Sequence, residues 1–198
     1  MTDRDHNPLA GYRTLLCVSG GIACYKAADL ASSLVQAGAV VDVAMTDAAL
    51  QFVTPLTFQT LTGRGVYTSL WQSTQEYDPA HLSLTEQADL MIVAPATANI
   101  LAKMSVGLAD DLVSTLALSA WGACGILVAP AMNTRMWSAP PTQGNMASLS
   151  ERGVCIVGPG EGRLACGTVG PGRMAEPKEI FVRASEILRT RPPKTVQS

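Results

Sequence analysis

Three residues of types that transfer protons or bind anions stand at separate places in the chain: His81, Asn133 and Cys166. His81, in the string HLSL, is the only histidine outside the N-terminal tail, so it is the one imidazole available near neutral pH. Cys166 lies in a glycine-rich stretch, where a thiol is less expected to be buried than in an apolar run. The spacing of the three matches neither a carboxylate pair nor a metal site. A structural histidine and a small buried cysteine are the alternatives to catalysis.

A glycine turn follows the first apolar run. The string SGGIA, residues 19–23, places Gly20 and Gly21 before a helical pattern. Glycine lets backbone amides approach an anion, and the start of a helix is electropositive, so the turn is a candidate phosphate seat. It has neither the G-x-G-x-x-G spacing of dinucleotide-binding folds nor the GK[ST] of a P-loop. An ordinary tight turn is therefore an equal alternative.

Two later segments repeat one arrangement. APATANILAK, residues 94–103, supplies Thr97 and Asn99, and APAMNTRMW, residues 129–137, supplies Asn133. Each set follows an apolar run and precedes a helical pattern. The residues suit N-caps. Two similar exits at one sheet edge also favour a shared pocket.

Five short apolar runs separated by helical patterns position these residues. The predicted strands are residues 14–18, 40–45, 89–96, 125–131 and 154–157, and Gly38 is the predicted C-terminal cap of the first helix. Continuous apolar strands joined by helical crossovers indicate an α/β fold, a doubly wound parallel sheet in a flavodoxin-like or Rossmann-like three-layer sandwich. Ligands of such sheets bind at the carboxyl ends of the strands. The glycine turn and both polar segments are predicted at those ends.

The stretch GPGEGRLACGTVGPGRMAEP, residues 158–177, contains six glycines and three prolines, which predicts a mobile loop without regular structure. Such a loop beside a rigid sheet is a candidate lid. Arg163 and Arg173 flank its thiol and are candidates to contact a substrate phosphate, with solvated surface arginines as the alternative. The other four cysteines lie in apolar runs and are predicted in the core: Cys17, Cys24, Cys124 and Cys155.

Composition excludes several classes of function. The net charge is −2 and the basic residues are scattered, which argues against nucleic-acid binding. The uncharged run from Val113 to Asn133 is broken by glycines and a proline, which predicts two buried elements and no membrane span. Five cysteines without a CxxC pair predict a cytoplasmic protein without a disulfide frame or metal site. We expect one domain over residues 1–198, ordered over roughly residues 13–190. Charged residues at 15% and apolar ones at 47% favour a homo-oligomer.

Five strings together resemble the homo-oligomeric flavin-containing cysteine decarboxylases. They are SGGIACYKA, the histidine of HLSL, APATANILAK, PAMNTRMW and LACGTVGPGRMAEP, spread over roughly residues 13–177. The resemblance is strongest to members that decarboxylate 4'-phosphopantothenoylcysteine to 4'-phosphopantetheine in coenzyme A biosynthesis. It implies FMN as cofactor, although the residues do not distinguish FMN from FAD. It also implies a trimer or a higher assembly of trimers.

The resemblance also implies roles for residues of this chain. FMN is expected at Gly20, Gly21, Ile22, Thr46, Thr97, Ala98, Asn99 and Ala131. Some relatives have serines near the flavin phosphate where this chain has Ala48 and Ala49, and Thr46 or backbone amides are expected to substitute. The implied catalytic residues are His81, Asn133 for the substrate carboxylate, and Cys166 as proton donor, while Met132 and Arg173 are further substrate contacts. Thr168 departs from the acidic residue that many relatives have after ACG.

The implied reaction oxidises the substrate thiol to a thioaldehyde, releases carbon dioxide and reduces the resulting enethiolate. Two alternatives share the fold and the flavin. One is an oxidative decarboxylase of a C-terminal peptidyl cysteine, which has no need of the proton donor at Cys166. The other is a flavin-binding regulatory subunit without turnover, although such subunits usually carry acidic tails. Synthesis of a prenylated flavin, which shares the sheet, is disfavoured by the PAMNxxMW and ACG strings.

Overall fold

The structure is a computed structural model that describes residues 7–71, 80–163, 167 and 169–194, with the backbone alone for residues 80–82 and 163. Six strands form a parallel sheet in the order β3-β2-β1-β4-β5-β6. The strands are β1 (Arg13–Val18), β2 (Val40–Met45), β3 (Val66–Tyr67), β4 (Leu90–Ala96), β5 (Gly125–Pro130) and β6 (Cys155–Ile156). The order reverses between β1 and β4, which is the switch point of a doubly wound sheet. The predicted fold class is confirmed.

Helices cover both faces of the sheet. They are α1 (Cys24–Gln36), α2 (Pro55–Thr62), α3 (Ala80–Gln87), α4 (Ala98–Val106), α5 (Leu112–Ser119), α6 (Thr134–Trp137), α7 (Pro140–Glu151) and α8 (Pro177–Leu188). Alternate strand residues point to opposite faces, so Leu16 packs in one buried cluster with α1, α2 and α8 while Leu15 packs in another with α3, α4, α5 and α7. Helix α1 ends as predicted, because Gly38 has a left-handed φ of 90° and its N–H donates to Val35 O.

The glycine-rich stretch corrects one prediction. Residues 158–177 were expected to lack regular structure, but β7 (Gly160–Arg163) and β8 (Val169–Arg173) form an antiparallel two-stranded sheet. A two-stranded ribbon leaves one edge of each strand unpaired, so Pro171 is tolerated, and glycine permits the positive φ at position 172. The lid role of this segment stays a prediction.

Burial corrects the prediction that four cysteines lie in the core. Cys17 and Cys24 are buried in the core, but Cys124 and Cys155 are half-buried because they lie at the start of β5 and on the edge strand β6. Burial raises the pKa of the Cys17 and Cys24 thiols, so neither is a ready nucleophile. The uncharged run after residue 112 divides into α5 and β5, as predicted. Throughout the described ranges, every helix is too short or too polar to cross a bilayer.

Asp42 on β2 is a buried carboxylate that holds two arginines. Its oxygens accept hydrogen bonds from Arg13 Nη2 at 3.1 Å and from Arg64 Nε at 2.7 Å. We expect Asp42→Ala to lower the free energy of unfolding by about 2–3 kcal/mol, because the largely buried Arg13 then lacks its counter-charge. Urea unfolding of the purified protein measures the change. Glu186→Ala, which removes an exposed partner of Arg183, is the control and should change it by less than about 0.5 kcal/mol. Equal effects would contradict the assignment.

Candidate functional site

A cavity of about 840 Å³ opens at the carboxyl ends of β1, β2, β4 and β5. This is where the order of strands reverses, so the loops after β1 and β4 diverge and leave a crevice. The cavity wall includes every predicted cofactor and substrate residue whose side chain is described: Gly20, Gly21, Ile22, Thr46, Thr97, Ala98, Asn99, Ala131, Met132, Asn133 and Arg173. The structure thus brings together residues from five separate segments. Their individual roles stay predictions.

Ser19 joins the exits of β1 and β4 across the switch point. Its hydroxyl donates to Pro95 O at 2.7 Å and accepts from the Thr97 N–H at 3.1 Å, and it lies 3.2 Å from Thr97 Oγ1. The Cys24 thiol donates to Ser19 O at 3.2 Å. These bonds fix the glycine turn relative to the start of α4. Sequence reasoning missed Ser19, because its contacts lie 76 and 78 residues away along the chain.

Gly20 is packed against the turn that follows β2. A Cβ atom added to Gly20 would lie 2.4 Å from Ala48 Cβ and 2.6 Å from the carbonyl carbon of Ala48. No side chain larger than hydrogen fits there unless the two turns separate. Gly21 is freer, since its Cβ would lie 3.7 Å from Thr97 Cγ2. The bare backbone at these positions forms one end of the cavity, beside the first turn of α1.

The β2 turn presents Thr46 and Ala48 to the cavity, whereas Ala49 is completely buried. Thr46 Oγ1 accepts a hydrogen bond from the Ala49 N–H at 3.2 Å, which leaves the hydroxyl proton available to a ligand. A side chain at position 49 would face the core. The prediction that Thr46 contacts the flavin phosphate in place of the serines of some relatives therefore fits the geometry at this end of the cavity.

Asn133 is both a helix cap and a cavity residue. Its Oδ1 accepts from the Met136 N–H at 2.8 Å, so it caps α6 as the sequence allowed. That bond occupies the amide oxygen and fixes the side-chain rotamer. The two N–H donors on Nδ2 are then the groups that Asn133 can offer to an anion in the cavity.

Strand β8 lies directly on the segment that carries Asn133. The Met132 N–H donates to Gly172 O at 2.9 Å, and a Cβ on Gly172 would lie 2.3 Å from Met132 O. A Cβ on Gly170 would lie 2.8 Å from Thr134 Oγ1. Gly170 and Gly172 led to the prediction of irregular structure in this segment. Their lack of a side chain permits close packing of β8 on the cavity wall.

Two lysines in the cavity wall are held by carboxylates. Lys26, which is buried, lies 3.0 Å from Glu176 Oε1, and the hydrogen bond from Lys26 lowers the pKa of the Glu176 carboxyl, with Arg173 adding to the effect. Lys103 lies against Asp110 and Asp111, and its hydrogen bond to Asp110, followed by that to Asp111, raises the pKa of its ammonium. Sequence reasoning missed both lysines, because helical periodicity alone does not separate a cavity-lining lysine from a surface one.

Two of the three predicted catalytic residues lie outside what the structure describes in full. Cys166 and Thr168 are not among the described residues, and for His81 and Arg163 only the backbone is described. His81 stands in the first turn of α3. Asn133 is therefore the one predicted catalytic side chain that the described part of the chain places in the cavity.

The chemistry of the cavity wall fits FMN. One end is bare backbone at Gly20 and Gly21 beside the electropositive start of α1, which suits a phosphate. The remaining wall combines apolar side chains such as Met132 and Met174 with hydrogen-bonding ones such as Thr97 and Asn99. A planar ring system with polar edges needs this mixture. The volume of about 840 Å³ is at the upper end of small-molecule sites, so a second ligand can share it.

Comparison with known proteins agrees with this geometry. Residues 3–187 match the Flavoprotein family. The coenzyme A biosynthesis bifunctional protein CoaBC of Vibrio vulnificus is 46% identical over 184 residues, which cover 93% of this chain and 45% of that protein. CoaBC of Bacillus subtilis is 49% identical over 172 residues, covering 87% and 42%. The chain spans about half the length of these curated relatives, or somewhat less.

Two solved structures superimpose on at least 90% of this chain. A PPC decarboxylase mutant complexed with pantothenoylaminoethenethiol superimposes with a TM-score of 0.80 at 31% identity, over 90% of this chain and 98% of that one. The FMN binding protein AtHal3 superimposes with a TM-score of 0.79 at 31% identity, over 92% and 99%. The predicted resemblance is confirmed.

Proposed function

Because the chain belongs to the Flavoprotein family, we propose that it decarboxylates 4'-phosphopantothenoylcysteine to 4'-phosphopantetheine in coenzyme A biosynthesis, with FMN as cofactor. The observation that carries the proposal is the single cavity that presents a bare glycine turn at one end and the amide of Asn133 in the same wall. The residues proposed for a phosphorylated cofactor and the donor proposed for a substrate carboxylate thus line the same cavity. The similarity to CoaBC proteins and to a PPC decarboxylase supports the substrate.

The residues of the glycine turn and of the α4 start would hold the cofactor. Backbone amides after Gly20 and the Thr46 hydroxyl suit its phosphate, while Thr97 and Asn99 suit the polar edge of its ring system. When bound there, FMN supplies a two-electron acceptor for the carbon that bears sulfur, which turns an unactivated carboxylate into a good leaving group. The protein contributes position and proton transfer.

Asn133 orients the substrate. Its Oδ1 is used by the cap of α6, so its two Nδ2 protons donate to the substrate carboxylate and direct the neighbouring thiol-bearing carbon into the cavity. Met132, adjacent in the wall, supplies apolar contact, and the half-exposed Arg173 guanidinium is available to the phosphate end of the substrate. Removal of the carboxylate from water is thus compensated by donors that do not reorganise.

His81 and Cys166 are proposed to move the protons. The imidazole accepts the proton of the substrate thiol, a contribution of about 10²- to 10⁴-fold for general base catalysis. The thiol of Cys166 donates a proton to carbon when the enethiolate left after carbon dioxide loss is reduced. The proton that His81 takes from sulfur returns to the product thiolate. The proton that Cys166 gives to carbon takes the place of the lost carboxylate and is replaced from solvent, so one proton is consumed overall.

Two substrate classes are separated by one experiment. Purified protein with bound FMN is mixed with phosphopantothenoylcysteine or with a peptide ending in cysteine, and carbon dioxide and products are measured by mass spectrometry. We expect carbon dioxide and 4'-phosphopantetheine from the first and at least about 100-fold less turnover of the second, given the lack of the pantothenoyl contacts. Preferential turnover of the peptide would contradict the proposal. Absence of turnover with both, while FMN stays bound, would favour a regulatory flavoprotein.

The assembly is proposed to be a homo-oligomer built of trimers. Exposed apolar side chains stand at the cavity mouth, with Ile22 63% and Tyr25 62% exposed while both line the cavity. A second subunit covering them would shield the bound flavin from water. A cytoplasmic location is proposed with the same function, since its substrate is an intermediate of coenzyme A biosynthesis.

A further inference from the structure

Glu176 connects two cavity residues without belonging to the cavity wall. One oxygen, Oε1, accepts a hydrogen bond from Lys26 Nζ at 3.0 Å and forms an ion pair with Arg173 Nη2 at 2.7 Å. Lys26 belongs to α1, which follows the glycine turn, and Arg173 ends β8. A single carboxylate oxygen therefore joins the helix beside the proposed flavin phosphate to the strand beside Asn133.

Lys26 depends on this carboxylate for its position. Its side chain is 7% exposed, and burial of an ammonium without a counter-charge is costly. Its other hydrogen bond within the described ranges goes to Met174 O at 3.4 Å, which is long. Both acceptors belong to the segment just after β8. Lys26 thus binds α1 to the end of this strand, and Glu176 supplies the charge.

The strand transmits this position to Asn133. Gly172, one residue before Arg173, accepts the Met132 N–H at 2.9 Å and leaves no space for a Cβ against Met132 O. A shift of β8 away from α1 would pull on the segment 131–133 directly. In sequence, Cys166 lies between β7 and β8.

We infer that Glu176 is a positioning residue that locks β8 to α1 through Lys26 and Arg173, and so holds the Asn133 segment and the β7–β8 hairpin in register with the glycine turn. The inference rests on the proposed function for its effect on turnover. The charge-dependent contact between β8 and α1 is itself independent of the proposed function. The Glu176 N–H donates to Glu179 Oε2 at 2.9 Å, which fixes the backbone of residue 176 at the junction of strand and helix.

Glu176→Gln tests the lock in the full chain with FMN bound. The substitution keeps the size of the side chain and the backbone bond to Glu179 but removes the charge that pairs with Lys26. We expect bound FMN per subunit to be unchanged, and the second half of the reaction to slow more than the first, because displacement of the order of 1 Å can lower a rate about 100-fold. The decarboxylated, oxidised enethiol should then rise at least about 10-fold relative to 4'-phosphopantetheine. Cys166→Ser provides the reference for complete arrest at that stage.

Glu186→Gln is the matched control. It removes one carboxylate from the same helix, where Glu186 pairs with Arg183 at 2.9 Å on the exposed side, and should leave the product ratio at the wild-type value. The double variant Lys26→Met, Glu176→Gln should have a product ratio no further from the wild-type value than that of the more impaired single variant, since both substitutions break the same contact. A wild-type product ratio in Glu176→Gln, loss of its FMN, or additive effects in the double variant would overturn the inference.

Amide hydrogen exchange separates this inference from the proposed function. We expect the amides of residues 169–174 to exchange faster in Glu176→Gln than in the wild type, and those of Glu186→Gln to exchange at the wild-type rate. This readout needs no turnover. If the wild-type protein failed to decarboxylate phosphopantothenoylcysteine, the proposed function would be wrong and the exchange result would still decide the lock. Unchanged exchange in Glu176→Gln would refute it.

Discussion

Protein carrying Gly20→Ala is expected to fold but to be purified without FMN and without activity. The added Cβ would lie 2.4–2.7 Å from three atoms of Ala48, two of which are the backbone carbonyl carbon and oxygen. The turns after β1 and β2 must then separate. Overpacking of this kind costs about 1–3 kcal/mol, and because the displaced amides are those proposed for the phosphate, we expect FMN affinity to fall about 100-fold.

The flavin absorption of the purified protein and titration of the apo-protein with FMN measure this effect. Gly144→Ala is the matched control, because a Cβ on Gly144 has no neighbour within 4 Å and the residue lies inside α7. That variant should bind FMN normally and be slightly more stable. Full retention of FMN by Gly20→Ala would show that the glycine turn is not the phosphate seat.

Asn133→Asp is expected to keep the fold and the bound FMN while losing turnover. Aspartate caps a helix as well as asparagine does, so the bond from the Met136 N–H to position 133 survives. The two donors on Nδ2 are replaced by an anion that faces the substrate carboxylate. Lost donors and like-charge repulsion together cost about 2–5 kcal/mol, so kcat/KM should fall at least about 100-fold.

Steady-state kinetics and the flavin spectrum, measured on the same preparation, test this. Asn133→Ser is the informative companion, because serine keeps the cap without adding charge and should lose less activity than aspartate. If Asn133→Asp turned over at the wild-type rate, the carboxylate would be held elsewhere. If it lost FMN, Asn133 would act mainly on the cofactor.

The sheet was predictable because β1, β4 and β5 each contain a continuous apolar run beside a glycine or a proline, and β2 is an apolar run interrupted only by Asp42. The two-residue strand β3 was not, since Val66 and Tyr67 form no run that periodicity can detect. The β7–β8 hairpin was missed for a different reason. Glycine and proline normally indicate irregular structure, but here Gly170 allows the strand to pack on the side chain of Thr134 and Gly172 allows it to pack on the backbone of residues 132–133. That requirement comes from tertiary contact, which a local pattern does not contain.

The candidate site was predictable to the extent that it lies at strand ends. Thr97 and Asn133 follow β4 and β5, so parallel topology alone brings them to one edge. Ser19, Lys26 and Glu176 were not predicted, because their roles depend on partners more than 70 residues away along the chain. The assignment of catalytic roles to His81 and Cys166 came from resemblance to a family, since a lone histidine and a lone cysteine have no diagnostic spacing.

Anaerobic mixing of the FMN-loaded Cys166→Ser variant with phosphopantothenoylcysteine, followed by absorption and by release of carbon dioxide, tests the central claim most directly. The claim is that carboxylate loss requires prior transfer of two electrons from the substrate to the flavin bound in this cavity. We predict that the oxidised-flavin absorption disappears in a single turnover, with one carbon dioxide released for each flavin reduced. Release of carbon dioxide while the oxidised-flavin absorption stays unchanged throughout would contradict the account.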